Sequence, residues 1–339
     1  VAPLLPNEHS NLQGNYYGRV TRPVAWFLLA KLALNAEVYT DDNWTDSYRP
    51  DGKTIMIDVD GTQKNAWLTC IHYCNLIASA GYSLASDYTK NFAVHNENSN
   101  ENIFTIPLDK MLYLNEFHYL FRSRHYAHGG AYGGASENGT CATLHTMAVY
   151  GYNTSSPDAR LDMNFYTGKV EVDGSNVTLD DGTPLEYKPL AVERNLTSSQ
   201  YIETAGARMK KYEVDRTAYS DGRMPDNDIV LYRYADVMLM KAEAKVRNGE
   251  SGDEELNAVR NRVGMPSLPA TLDNILNERL LELVWEGWRR QDMIRFGTYN
   301  KPYDIHTPSE ADNKGYTTVF PIPGKARELN PNLEQNPGY

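Results

Sequence analysis

Cysteine is scarce, with three in 339 residues, too few for a disulfide framework. Cys70 and Cys74 stand four apart in a helical stretch, whereas a bridge needs aligned Cβ vectors and Cα atoms roughly 5.5–6 Å apart. No second ligand pair follows at finger spacing, which argues against a structural zinc site. These two and Cys141 are therefore expected as free thiols. Positive charge is also short, 33 Lys and Arg against 44 Asp and Glu, a formal charge of −11. That argues against nucleic acid as the main partner, since phosphate binding needs concentrated positive charge, and gives no help on an anionic lipid face. A run of about 18 apolar residues, the least that spans a bilayer as a helix, does not occur. Val1 is preceded by no Met and followed by no charged-then-apolar leader, so the start is expected to reflect processing or trimming.

Phe and Trp are few, 8 and 5, while Tyr reaches 24. Tyrosine can lie half-exposed with an apolar face and a polar edge. The excess suits either a wet helical core rimmed by tyrosines or a surface for flat, polar ligands such as sugar rings.

Helical periodicity dominates both ends of the chain. Residues 1–18, with Pro3, Pro6, Gly14 and Gly18, read as loop. Val20 to Tyr39 reads as one helix: Thr21 caps it, Pro23 sits in the first turn, and Trp26, Leu29, Ala30, Ala33 and Leu34 form an apolar stripe. Lys64 to Ala80 is a second, stopped by Gly81, with Trp67, Ile71, Cys74 and Ile77 inward. Joined by a polar loop, the two make an αα-hairpin of the helical-repeat kind. Helices return at Asp228–Asn248, Asp253–Val263 and Thr271–Phe296; the last carries Glu278, Arg279, Glu282, Glu286, Arg289, Arg290, Asp292 and Arg295, with Glu286 and Arg290 read as an exposed i, i+4 pair. The prolines at 321, 323, 331 and 337 make Pro321–Tyr339 an extended strap rather than a helix.

Between these ends the composition changes. Glu101 to Pro107 looks like a short strand. His125–Gly134, with four glycines in six residues, reads as a loop. Asp162 to Val192 holds strand-like pieces with turns at Asp173-Gly174 and Asp181-Gly182. The expected organisation is a mainly α, TPR-like helical-repeat scaffold over 1–81, a loop-rich ligand-binding insertion with short hairpins over 82–220, and further TPR-like helices with the strap over 221–339.

Three motifs in the last third carry a resemblance. Arg233-Tyr-Ala-Asp-Val-Met-Leu-Met-Lys-Ala-Glu-Ala244 resembles the RYADVLLMYAEA helix of the SusD/RagB family, outer-membrane nutrient-binding lipoproteins of Bacteroidota. Asn277–Leu283 with Glu286-Gly-Trp-Arg289 and Asp292–Gly297 resembles that family's ER-x-x-EL…EG-x-R…DL-x-R-x-G segment. Phe320-Pro-Ile-Pro323 and Asn330–Tyr339 resemble its terminal strap. Gly18–Thr21 and Asp158-Ala-Arg160-Leu-Asp162 match weaker family steps. The resemblance implies a SusD-like α/α superhelix and a non-catalytic protein, lipid-anchored to the outer leaflet, that binds an oligo- or polysaccharide and delivers it to a SusC-like TonB-dependent transporter, with no cofactor. It also implies that Val1 lies inside the family fold, since members carry a lipobox cysteine and a first helical repeat further upstream.

Candidate ligand residues come from the insertion: Tyr126, Tyr132, Tyr150 and Tyr152, with His125 and His128 beside them. Trp44, in the polar Asp41–Asp46 loop, is a platform or a loop anchor. Trp26, Trp67, Trp285 and Trp288 lie on apolar stripes and read as core. Zinc at His125 and His128 finds no acidic third ligand in sequence, and calcium at Asp41, Asp42 and Asp46 lacks the EF-hand order, so no metal is expected. The carboxylates of the last long helix could in principle cleave a glycoside, which needs a pair about 5–10 Å apart. Interleaved arginines would keep them ionised, so they are expected to clamp helices together. A peptide or glycopeptide cargo on the same scaffold is the other alternative.

Overall fold

The computed structural model describes residues 2–46, 48–112, 122–218 and 225–339. The expected boundary at 220/221 lies outside them. In chain order the first elements are α1 (Arg22–Leu34), α2 (Ala36–Tyr39), the hairpin β1 (Met56–Val59) and β2 (Thr62–Asn65), α3 (Ala66–Ser79) and β3 (Asn102–Ile106). The insertion supplies α4 (Tyr126–Ala131), α5 (Leu144–Val149), α6 (Leu161–Asn164) and two-residue strands β4 (Phe165–Tyr166), β5 (Gly168–Lys169), β6 (Glu171–Val172), β7 (Ser175–Asn176), β8 (Glu186–Tyr187) and β9 (Arg208–Met209). The C-terminal part is β10 (Ile229–Arg233), α7 (Tyr234–Asn248), α8 (Asp253–Arg262), α9 (Leu272–Leu283), α10 (Arg289–Arg295), α11 (Glu310–Asn313) and α12 (Gly324–Leu329). The described chain is thus mostly helical with short strands.

The apolar stripes meet as their spacing requires. Phe27, Ala30 and Leu34 of α1, Trp67, Cys70, Cys74 and Ile77 of α3, and Val237, Met240 and Ala244 of α7 form one buried core. Asn65 caps α3, its side chain accepting the Leu68 N–H at 2.8 Å. α7 ends on Gly249 in the left-handed region, φ 94°. A second layer joins α7, α8 and α9 through Leu239, Leu256, Val259 and Ile275. Trp67 is buried as expected, and Trp26, Trp285 and Trp288 are partly buried, Trp288 lying 3.8 Å beneath the Lys31 ammonium. All three cysteines are free.

Five expectations are corrected. The Val20–Tyr39 helix breaks at Asn35, whose side-chain amide donates to the Lys31 carbonyl at 2.8 Å. Asp228–Asn248 is not all helix: Ile229–Arg233 pairs antiparallel with β3, Ile229 opposite Ile106, because the run Ile-Val-Leu-Tyr is β-prone and a partner edge is available. Thr271–Phe296 is interrupted between Leu283 and Arg289. There Lys211 Nζ donates to the Glu282 and Val284 carbonyls, both at 2.9 Å, and Arg233 Nη2 donates to the Glu282 carbonyl at 2.6 Å. These are acceptors a continuing helix would give to its own N–H groups, and Trp285 adopts φ 67° in the gap. Glu286 consequently pairs with Arg233 and Lys211 rather than Arg290. Finally, Gly324–Leu329 is helical between the prolines, with Pro323 at its start, a position that tolerates the missing N–H.

The ionic residues of α9 and α10 do clamp elements together. Arg160 reaches Glu278 at 2.7 Å and Glu282 at 2.8 Å while holding Asp158 with two further bonds. Arg233 joins Glu101, Glu282 and Glu286 at 2.5–2.8 Å. A second cluster links Arg279 to Asp236 and Asp292, and Arg295 to Glu243 and Asp292. All of these side chains are at most 4% exposed.

Candidate functional site

The Gly-rich segment expected as a loop folds as α4, and the reason is capping. His125 takes an extended conformation and its ring Nδ1 accepts the Ala127 N–H at 3.1 Å, while its backbone N–H donates to the Tyr187 hydroxyl at 2.9 Å. Gly129 is required by contact rather than flexibility: a Cβ there would sit 2.3 Å from Ser136 Oγ and 2.9 Å from the Ala135 backbone. Gly130 has open space. Gly129→Ala is therefore expected to destabilise the docking of α4 by about 1–3 kcal/mol, and Gly130→Ala to be neutral or to stabilise by about 0.5–1 kcal/mol through helix propensity. Urea unfolding of the two variants measures the difference.

α4 brings four of the expected residues together and recruits aromatics from the strands of the insertion. His128 is completely buried, its Nδ1 3.0 Å from the Tyr187 hydroxyl and its ring edge-on to Tyr166 at 4.6 Å. Burial, aided by Arg124 and His125, lowers its pKa to about 3, so the ring is neutral at physiological pH. His125 is nearly buried and faces Glu203 across 3.2 Å. Both histidines thus shape the site rather than line it. The Tyr132 hydroxyl lies 3.3 Å from that of Tyr166, and its ring carries the Arg216 guanidinium at 4.9 Å and that of Arg124 at 5.6 Å. Arg216 is itself fixed by two 2.8 Å bonds to Asp173, in the Asp173-Gly174 turn between β6 and β7. Tyr132, Arg124, Gly133, Gly134, Asp215 and Arg216 line a narrow cleft of about 50 Å³. Tyr126 is the open ring, 59% exposed and in edge contact with His125.

Two of the expected tyrosines lie elsewhere. Tyr150 is fully buried, donating to the Leu281 carbonyl at 2.6 Å and accepting from Asn164 at 2.9 Å, with its ring edge-on to Phe165. No face remains for a ligand. Tyr152 packs against the same cluster. Trp44 is half-buried beside Gly315, where an added Cβ would come within 2.8 Å of the Trp44 carbonyl oxygen, and it is absent from the lining of the α4 cleft. Sequence reasoning missed Tyr166, Tyr187, Arg124 and Arg216; only the Asp173-Gly174 turn signal bore on their placement.

Acid–base chemistry finds no support at the paired carboxylates. Glu282 is fully buried and Glu286 has a side-chain exposure of 1%. Burial alone would raise the Glu282 pKa, but the guanidiniums of Arg262, Arg233 and Arg160 outweigh it and hold the carboxyl well below its ordinary range. A general acid needs the opposite. Among the described residues, no three His, Cys, Asp or Glu side chains gather in a group that could hold a metal ion, and no helix is long and apolar enough to cross a membrane.

The sequence model of the SusD family matches residues 54–339. The chain belongs to the SusD family. Starch-binding protein SusD of Bacteroides thetaiotaomicron is 26% identical over 379 residues, an alignment covering 99% of this chain and 64% of the relative. The chain therefore spans about two thirds of that protein's length. Among solved structures, surface glycan-binding protein A of Bacteroides thetaiotaomicron superposes with a TM-score of 0.69 at 23% identity, covering 99% of this chain and 67% of that one. The same protein in complex with laminarihexaose gives a TM-score of 0.66 at 22% identity, covering 98% of this chain and 67% of that one. At such identities the likeness is one of fold, the helical TPR-like architecture of SusD-family proteins.

Proposed function

We propose that this SusD-family chain is a non-catalytic, cell-surface glycan-binding protein that takes an oligo- or polysaccharide at the α4 cleft and delivers it to a SusC-like TonB-dependent transporter of the outer membrane. The observation that carries the reading is the relative solved with laminarihexaose, whose fold this chain shares along nearly its whole length. The cleft has the matching chemistry. Tyr132, Arg124, Arg216 and Asp215 offer hydroxyl, guanidinium and carboxylate groups for the edges of a sugar, and Tyr126, at the start of the same helix and outside the cleft lining, offers an open ring for its apolar face. The buried state of Glu282 and Glu286 favours binding over hydrolysis.

Isothermal calorimetry and affinity electrophoresis against a polysaccharide panel test the reading. Tyr126→Ala is expected to weaken binding about tenfold, corresponding to roughly 1.4 kcal/mol, with unchanged thermal stability because the ring is exposed. Wild type that retains no glycan at millimolar concentration, or that retains protein digests and no polysaccharide, overturns it. Co-purification with a barrel transporter encoded beside it tests the delivery step.

A further inference from the structure

Exposed aromatic rings are unevenly spread over the molecule. Among the described residues the exposed Tyr and Phe side chains are Tyr16, Tyr39, Tyr48, Tyr126, Phe320 and Tyr339, and four of the six belong to one end. Tyr39 ends α2, Tyr48 sits in the loop that carries Trp44, and Phe320 starts the strap. Tyr339 folds back onto it, donating to the Val319 carbonyl at 2.9 Å. Tyr39 and Phe320 border a cleft of about 470 Å³, whose lining also includes Asp41, Trp44, Arg290 and Gln291.

The polar groups at its edge are planar and only partly engaged. Gln291 donates from Nε2 to the Tyr39 hydroxyl at 3.0 Å, while its Oε1 has no hydrogen-bond partner. Arg290 lies over the Phe320 ring at 4.4 Å and donates to the Thr317 and Thr318 carbonyls, and it makes no ion pair with any described carboxylate. Asp41 is 3.9 Å from Arg49. Large rings beside amide, carboxylate and guanidinium groups suit a ligand with apolar C–H faces and a rim of hydroxyls.

We infer that this C-terminal cleft, built on Tyr39, Trp44 and Phe320, is a second glycan-binding surface, separate from the α4 cleft. The inference rests on the glycan-binding reading and goes beyond it in assigning two sites to one chain. Two sites on one chain make a long polysaccharide bind more tightly than a short oligosaccharide, because engagement of the second is intramolecular; avidity gains of about 10²–10⁴ arise this way.

The experiment is calorimetry with maltohexaose, laminarihexaose, cellohexaose and hexagalacturonate, and affinity electrophoresis in the polysaccharide corresponding to the hexamer that binds. Wild type is expected to bind two hexamers per chain. Tyr39→Ala/Phe320→Ala is expected to bind one and to lose tenfold or more in affinity for the polysaccharide; Tyr126→Ala is expected to spare the site that this double variant removes. Both rings of the double variant are exposed, so its melting temperature is expected to stay at the wild-type value. One hexamer per wild-type chain, with unchanged binding by the double variant and loss in Tyr126→Ala, overturns the second site and leaves the first reading standing. Absence of binding across the panel overturns both.

Discussion

Arg233→Met is expected to lose about 3–5 kcal/mol of stability, the usual cost of stripping the cation from a buried ionic cluster. Arg233 bonds to Glu101, Glu282 and Glu286 and to the Glu282 carbonyl, and none of these groups reaches water. Removing it leaves three carboxylates with only Arg160, Arg262 and Lys211 to share. Arg233→Lys is expected to recover little, since an ammonium cannot reproduce a fork that meets three acids at once. Lys314→Met, which breaks an exposed pair with Glu310, is expected to change stability by less than about 0.5 kcal/mol. Urea unfolding of the three variants measures the series; an Arg233→Met protein as stable as Lys314→Met would show that the cluster contributes nothing net.

Acid should unfold this protein with unusual steepness for one so rich in carboxylates. The Glu243 pKa is pushed up by burial and pulled down further by Arg295 and Arg247, ending at about 2. Asp236 and Glu282 are lowered in the same way, Asp236 by Arg279 and Lys31. A carboxyl depressed in the folded state contributes stability that is fully present above its unfolded pKa near 4.5 and is lost as pH falls toward the folded value. For Glu243 the shift is worth about 3 kcal/mol. Thermal melts between pH 7 and pH 2 are expected to begin falling below about pH 6.5, through His128, and to fall more steeply below about pH 5 as the carboxyl groups are protonated. A melting temperature unchanged at pH 3 would contradict it. His128 adds to the same fall: its folded pKa of about 3 lies below the unfolded value near 6.5, so only the unfolded chain takes up this proton and stability drops as pH falls from about 6.5 toward 3.

What could be read directly from the amino acids was whatever depends on near neighbours. Ala30, Ala33 and Leu34 of the α1 stripe, Trp67, Cys74 and Ile77 of the α3 stripe, the Asp173-Gly174 turn and the ionic role of α9 follow from spacing and local chemistry and stand in the structure, while Phe27, absent from the stripe read in sequence, takes the core place of Trp26 and Leu29. What could not be read depends on partners far along the chain. The α4 helix owes its start to a cap and a Tyr187 hydroxyl that no helix propensity scale contains. The interruption after Leu283 is dictated by Lys211 and Arg233 taking carbonyls that the local pattern assigns to a continuous helix. Tyr150 and Tyr126 look alike in sequence, and only packing separates a buried hydrogen-bond donor from an open ring. Phe320 and Tyr39 were passed over because one lies in a family-like strap and the other ends a helix, contexts that suggest scaffold.

Two of the cations that interrupt and pin α9 come from the insertion itself, Arg160 beside α6 and Lys211 just after β9. The insertion is thus threaded into the ionic interior of the repeat helices, and it could not be transplanted as a cassette. A chimera that exchanges binding loops between relatives would keep its folding only if residues equivalent to Arg160 and Lys211 travelled with the graft, or stayed behind in the host at the same positions.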